Sequence, residues 1–288
     1  MNAALRRKLC RFQRNEITEY HIYRRLARTL RDEQNREVLL RIAEDEHRHY
    51  TVWRKYTGTD VAPNRWKIRW HYWVSRLLGV TFGIKLMEHG EDAANETYAD
   101  LKDVLEEAEA VSEDENRHED ELIALLDEER LRYTGSIVLG LNDALVELTG
   151  ALAGYTLALR NTELIAMTGL ITGIAAALSM AASEYLSTKS EDTTKSPVKA
   201  SIYTGLAYVG TVAVLIAPYL FLANYFVCLG LALLSAVIII FVFNYYIAVA
   251  RDLDFRRRFL EMAGLSLGVA VFSFGVGFVM RHFLGVEG

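Results

Sequence analysis

Two short segments of the chain repeat the same pattern of acidic and histidine side chains. Residues 44–49 read Glu-Asp-Glu-His-Arg-His and residues 113–118 read Glu-Asp-Glu-Asn-Arg-His, so five of the six positions are identical. Each copy contains a glutamate three residues before a histidine: Glu46 and His49 in the first, Glu115 and His118 in the second. Residues three apart on a helix face the same way, so each pair can chelate or bridge metal ions. Matching pairs in register indicate one shared metal site.

Two single glutamates complete the candidate ligand set. Glu16 precedes Tyr23 by seven residues, and Glu91 precedes Tyr98 by the same interval. Two single glutamates plus two Glu-x-x-His pairs form the dinuclear metal sites of ferritin-like helix bundles. The first copy holds a second histidine, His47, which an asparagine replaces in the second copy, so His47 is predicted to lie on the surface.

Helices must bring these side chains together. We predict four of them, at about 2–31, 33–56, 76–100 and 102–132. The predicted inward face of the first contains Leu9, Phe12, Glu16, Glu19, Tyr23, Leu26 and Leu30, and that of the second contains Leu39, Ile42, Glu46, His49 and Trp53. Carboxylates at inward positions are costly unless they are paired or bind a metal. The alternative is that salt bridges between helix surfaces account for these acids.

This half of the chain, over about residues 5–130, resembles the rubrerythrin branch of the ferritin-like superfamily. The resemblance implies a di-iron centre, Fe²⁺/Fe³⁺ with Mn or Zn as substitutes, whose ligands are Glu16, Glu46, His49, Glu91, Glu115 and His118. It also implies Tyr23 and Tyr98 as hydrogen-bond partners behind the ligands, and Glu19 and Glu88 as further candidate ligands. Rubrerythrins carry four cysteines in a rubredoxin domain, whereas this chain has only Cys10 and Cys228, and no CxxC motif.

The second half of the chain has a different composition. Residues 1–134 contain 23 Lys and Arg and 27 Asp and Glu, but residues 135–288 contain only 9 and 10. Apolar stretches at about 136–159, 163–187, 202–222, 225–249 and 261–283 are each long enough to cross a bilayer. We therefore predict an all-α protein: a cytosolic ferritin-like four-helix bundle at 1–133, followed by a five-helix transmembrane domain at 134–288.

Basic residues of the predicted loops lie mainly on one side of the membrane. That side carries Lys189, Lys195, Lys199, Arg251, Arg256, Arg257 and Arg258. The other side carries Arg160 and Arg281. Positive loops stay in the cytoplasm, so we expect the N-terminal domain inside and the C-terminus outside. Five basic residues in 1–14, without an apolar run, exclude a secretory signal peptide.

Four side chains in the first two spans are suited to an ion pathway. Asp143 and Glu147 lie four residues apart on one helix face, as do Met180 and Glu184 in the next span. Carboxylates within a membrane are costly and usually line such a pathway. The alternative is that Glu184 lies at the cytosolic interface, that the two acids of the first span only join helices, and that Met180 is a packing residue.

These two spans resemble those of the vacuolar iron transporter family. Residues 140–154 read Gly-Leu-Asn-Asp-Ala-Leu-Val-Glu-Leu-Thr-Gly-Ala-Leu-Ala-Gly and residues 178–187 read Leu-Ser-Met-Ala-Ala-Ser-Glu-Tyr-Leu-Ser. The resemblance, over about 134–285, implies a homodimer that exchanges Fe²⁺, in some members Mn²⁺, for protons, with Asp143 and Met180 on the translocation path. Residues 188–200 are too short for the family's Glu-rich cytosolic insert. The fusion of both halves looks like the bacterial membrane-bound ferritins, which implies a prokaryotic cytoplasmic membrane.

A segment between the second and third predicted helices combines aromatic and basic residues. Its Trp66, Trp70, Trp73 and Leu77 share one face, and four basic residues lie elsewhere around the helix. Such a helix suits the inner leaflet of a membrane. Equally, the rings can pack on the bundle or on a second copy of the chain.

These features predict a divalent-metal exporter whose soluble domain binds, senses or oxidises the metal. The alternative function is a membrane-anchored di-iron ferroxidase or peroxidase whose spans serve as a tether. A net charge of −5 without a large basic patch argues against nucleic-acid binding.

Overall fold

The computed structural model describes residues 3–30, 32–87, 107–124, 132–191, 194–251 and 253–284. Across these ranges the regular structure is helical, with no strand. The chain divides into two compact units, Met1–Glu128 and Glu129–Gly288.

The first unit contains α1 (Ala3–Ala27), α2 (Glu33–Thr57), α3 (Arg65–Leu78) and α4 (Glu107–Ala124), and residues 80–87 are also helical. Helix α1 packs along α2, while α3 contacts α1 and α4 contacts α2. The side chain of Asp32 caps the start of α2 by accepting from the amide of Asn35 at 2.8 Å. Gly58 ends the same helix with a left-handed φ of 64°.

The interior of this unit has two apolar clusters. One includes Ile22, Leu26, Leu39 and Ile42, and the other includes Leu9, Phe12 and Trp53. Apart from Ile22, these residues lie on the predicted inward faces of α1 and α2, and the structure buries all of them. Glu16, Glu46 and His49 of the candidate site lie on those same faces.

The predicted helix boundaries differ from the structure in two places. Helix α1 ends at Ala27, before the predicted end at 31. Residues 76–78, predicted to begin the third helix of the bundle, instead form the last turn of α3. The helix stops there because Gly79 adopts φ 107°, a conformation open mainly to glycine. The remainder of the predicted third helix, 88–100, lies outside the described residues.

The second unit contains α5 (Thr134–Leu159), α6 (Thr162–Ser190), α7 (Pro197–Phe221), α8 (Tyr225–Arg251) and α9 (Phe255–Leu284). Among the described residues, these five helices are long and apolar enough to cross a membrane, as predicted. Helix α5 lies among the other four, and α6 also packs along α7.

Glycine allows the closest of these helix contacts. A Cβ on Gly140 would lie 2.3 Å from the backbone oxygen of Thr204, so α5 and α7 approach more closely than any other residue would permit. Small residues at such contacts are typical of helix packing in lipid.

Candidate functional site

Five of the predicted metal ligands converge at the centre of the first unit. Glu16 on α1, Glu46 and His49 on α2 and Glu115 on α4 each offer one ligand atom within 4.8 Å of the others. His118 joins them, because its Nδ1 lies 3.4 Å from Glu46 Oε1 and 4.0 Å from Glu115 Oε2. Both Glu-x-x-His pairs therefore face one centre, as the repeat predicted.

The polar atoms at this centre are suited to a cation. The side chains of Glu46, His49 and His118 are 2–3% exposed. Within the described part of the chain, Glu46 Oε2, His49 Nδ1 and His118 Nδ1 are buried without a hydrogen bond. Such groups are costly to bury unless a ligand satisfies them. Carboxylate oxygens and imidazole nitrogens together bind first-row divalent metals, so the donor set fits an iron centre.

Two aspartates that sequence reasoning missed hold the histidines in place. Asp114 Oδ2 lies 3.2 Å from Nε2 of His49, and Asp45 Oδ2 lies 3.0 Å from Nε2 of His118. Each aspartate therefore contacts the histidine of the opposite copy of the repeat. A carboxylate on the outer nitrogen fixes the ring so that the inner nitrogen faces the metal. The signal was present in the sequence, since both copies place aspartate directly before the ligand glutamate.

Two arginines form ion pairs between the two copies of the repeat, and each contacts the aspartates of both copies. Arg48 contacts Asp45 at 2.7 Å and Asp114 at 3.2 Å. Arg117 contacts Asp114 at 2.7 Å and Asp45 at 3.2 Å. These two aspartates and two arginines come from matching positions of the repeat. Together with the ligand glutamates and histidines, they account for four of the five positions at which the two copies are identical.

The remaining residues predicted for this site lie in different surroundings. Glu19 is not among the five converging ligands; it is buried, and its Oε1 accepts from Lys67 Nζ at 2.9 Å. Tyr23 lies in an apolar cluster of α1 and α2. Trp53, which had been predicted only as a core residue, donates from Nε1 to Glu16 Oε1 at 2.9 Å. Glu88, Glu91 and Tyr98 lie outside the described residues.

Crowding of buried carboxylates shifts their protonation. Burial raises the pKa of Glu46 well above its usual value, and repulsion from Glu115 adds to this effect. Burial likewise raises the pKa of Glu115 to about 7. Burial alone would lower the pKa of His49, but the surrounding carboxylates raise it. Without a metal the centre therefore retains protons, and a bound cation would displace them.

The second unit places two of its candidate path residues near the middle of a span. Asp143 and Glu147 lie about 14 and 20 Å along α5 from its first residue, given a rise of 1.5 Å per residue. Asp143 is half-buried and Glu147 is exposed on the surface of the single chain. Tyr208 of α7, which sequence reasoning missed, donates its hydroxyl to Glu147 Oε2 at 2.8 Å and is 1% exposed.

The other two candidates lie on α6. Ser136, in the first turn of α5, donates to Glu184 Oε1 at 2.6 Å. Glu184 is therefore level with one end of the span, which agrees with the interface alternative for this residue. Met180 lies one turn deeper and packs in part against the apolar core of the unit.

In comparisons with known proteins, the chain matches the model of a family, but no curated protein matches it. The model of the VIT family matches residues 134–195, which span α5, α6 and the loop that follows. This segment is therefore similar to the VIT family, and together with the five apolar helices the match supports an integral membrane protein.

Proposed function

We propose that the protein exports Fe²⁺, and also Mn²⁺, from the cytosol in exchange for protons. The observation that carries the proposal is the pair Asp143 and Glu147 near the middle of α5, within the segment that matches the VIT family. Burying carboxylates at this depth in a membrane costs free energy, and helices that only anchor a protein do not need them. A side chain that can hold either a metal ion or a proton also supplies the coupling between the two fluxes.

The exposure of Glu147 supports a homodimer. This carboxylate lies on a face of α5 that the other four spans leave uncovered, although its Oε2 accepts from Tyr208. A charged group facing hydrocarbon is unstable, so a second copy or a water-filled cavity must adjoin that face. A two-fold dimer would place a second copy at that face and leave a water-filled path between the protomers. Asp143, Glu147 and Met180 of each copy would line this path.

Loop charges support the direction of transport. Lys189 lies at the end of α6, Lys195 in the loop that follows it and Arg256 at the start of α9, whereas Arg160 is the basic residue of the α5–α6 connection. With positive loops inside, the N-terminal unit is cytosolic, so its metal centre lies on the side from which metal leaves. We place the protein in a prokaryotic cytoplasmic membrane.

For the N-terminal unit we propose a ferritin-like di-iron domain that binds, senses or oxidises the cargo metal. Support comes from the buried donor set and from the aspartates that orient both histidines. Bound iron would supply redox chemistry at this centre. The protein contributes ligand carboxylates, fixed imidazole rings and a buried environment that excludes water. Glu91 completes the proposed ligand set.

The path is tested by transport into sealed proteoliposomes under anaerobic conditions. Asp143→Ala should abolish Fe²⁺ uptake while iron binding by the first unit stays at the wild-type level. Glu261→Ala is the matched control, because it removes an acid that is exposed and paired with Arg257 in the same unit. Wild-type uptake by Asp143→Ala would refute the assigned path.

The second candidate function is a membrane-anchored ferroxidase or peroxidase. The converging ligands favour it independently of the spans. It predicts that the purified full-length protein consumes O₂ or peroxide as Fe²⁺ is oxidised, at a rate that Asp143→Ala leaves unchanged. Oxidation without any metal flux in wild type would favour this function over export.

A further inference from the structure

Helix α3 presents a continuous aromatic face to its surroundings. Trp66, Trp70, Trp73 and Leu77 are 71%, 50%, 60% and 67% exposed. The rings of Trp66 and Trp70 stack with their centroids 5.6 Å apart. Three exposed tryptophans on one 14-residue helix are unusual for a soluble surface, so this face is suited to an apolar partner.

The opposite face holds α3 on the first unit. His71 and Ser75 are 6% and 2% exposed. The guanidinium of Arg25 on α1 lies 4.0 Å from the ring centre of Tyr72, and Asn64 caps the helix by accepting from two backbone amides. Among the described residues of the first unit, the tryptophans are therefore not packed on their own bundle. They belong to a helix that is already formed and anchored.

Positive charge surrounds this aromatic face. Helix α3 contains Arg65, Lys67, Arg69 and Arg76 and no acidic residue. An open groove of about 710 Å³ beside it is lined by His21, Arg24, Arg25, Arg28, Pro63, Arg65 and Ile68. This charge is local, because residues 1–134 as a whole contain 23 basic and 27 acidic side chains. Tryptophan and arginine together are typical of helices that bind anionic lipid headgroups.

A short connection joins the first unit to the apolar helices of the second. Nine residues, 125–133, separate the end of α4 from the start of α5. At full extension they span at most about 35 Å, so the first unit is held to the apolar helices by a short tether. This tether gives the aromatic face a high effective concentration of lipid.

We propose that α3 is an interfacial helix that docks the first unit on the anionic leaflet of the membrane. The tryptophans and Leu77 enter the boundary between headgroups and acyl chains, and the arginines contact lipid phosphates. Lys67 extends from the same helix to Glu19, one turn from the ligand Glu16. The inference does not depend on metal export.

Tryptophan fluorescence tests the docking in the full-length protein. All four tryptophans lie in the first unit, so the spans contribute no signal. Trp53 is 0% exposed and serves as an internal reference. In liposomes with anionic lipid, acyl chains brominated near the headgroup should quench most of the emission, whereas aqueous iodide should quench little. Replacing Trp66, Trp70 and Trp73 with Phe should remove the quenching by bromine and leave the emission of Trp53.

Charge variants separate lipid docking from other partners. Arg65→Gln with Arg69→Gln and Arg76→Gln should weaken quenching by brominated lipid in anionic liposomes. The matched control replaces three exposed arginines of α1, Arg7, Arg11 and Arg14, with Gln and should behave as wild type. Emission that iodide quenches and brominated lipid does not would overturn the proposal in favour of a solvent-exposed face. Emission shielded from both quenchers would overturn it in favour of packing against a second copy.

Discussion

Replacement of Asp45 by asparagine tests whether the aspartates behind the histidines maintain the metal centre. Asparagine keeps the size of the side chain and one oxygen, but it removes the charge that faces His118 Nε2 at 3.0 Å. Loss of such a partner typically lowers metal affinity by about 10- to 100-fold, or about 1.4–2.7 kcal/mol. The contacts of Asp45 with Arg48 and Arg117 add little, because those arginine side chains are 63% and 51% exposed.

The burial of each aspartate side chain indicates how large the loss of metal affinity should be. The side chain of Asp45 is 9% exposed, whereas that of Asp114 is 22% exposed. We expect Asp45→Asn to approach a loss of about 100-fold and Asp114→Asn to remain nearer 10-fold, because water replaces part of the weaker contact. The measurement is anaerobic Fe²⁺ titration of the full-length protein in detergent, in competition with a chelator.

A neighbouring acid provides the control for Asp45→Asn. Glu44→Gln makes the same change of charge one residue away on an exposed side chain, and it should bind Fe²⁺ as wild type does. The reasoning is wrong if Asp45→Asn and Glu44→Gln have equal affinities. Thermal unfolding of both variants without metal should occur at similar temperatures, which separates the loss of a ligand partner from a loss of fold.

Three further predictions concern the metal centre, the path and the packing of the spans. Because the pKa of Glu115 is raised to about 7, Fe²⁺ competes with its proton at lower pH, so affinity should rise as pH increases towards 7. At pH 6, where Glu115 of the metal-free wild type is mostly protonated, calorimetry in two buffers should count about one proton fewer released by Glu115→Gln than by wild type. Tyr208→Phe removes a hydrogen bond to the charged Glu147 and should slow Fe²⁺ uptake by about 10-fold without changing iron binding. Gly140→Ala forces α5 away from Thr204 and should destabilise the membrane unit by about 1–3 kcal/mol in detergent unfolding, whereas Gly210→Ala, in open space, should not.

The sequence predicted the main elements because their signals are local. Apolar length alone gave the five spans, although α7 begins at Pro197 and α9 at Phe255, before the predicted starts at 202 and 261. The repeat selected Glu46 over Glu44, and the structure buries the first and exposes the second. Both depend on spacing along one helix.

Other features arise only from contacts between distant segments. Helical spacing defines the face of Asp45 but does not show that it reaches across to His118 on α4, 73 residues away. Tyr208 is 61 residues from Glu147, and no pattern in α7 distinguishes it from a packing tyrosine. The break at Gly79 was also missed, because a glycine inside an apolar pattern does not by itself end a helix.

The central claim is that metal export is coupled to protons, and simultaneous measurement of both fluxes tests it most directly. Proteoliposomes with a luminal pH indicator and a luminal Fe²⁺ indicator are given Fe²⁺ anaerobically, with and without an imposed pH gradient. With exchange, Fe²⁺ entry and proton exit should occur together, a gradient acidic inside should accelerate both, and Asp143→Ala should abolish both. Fe²⁺ entry without proton movement would contradict the exchange, and no Fe²⁺ entry into wild-type liposomes would contradict export itself.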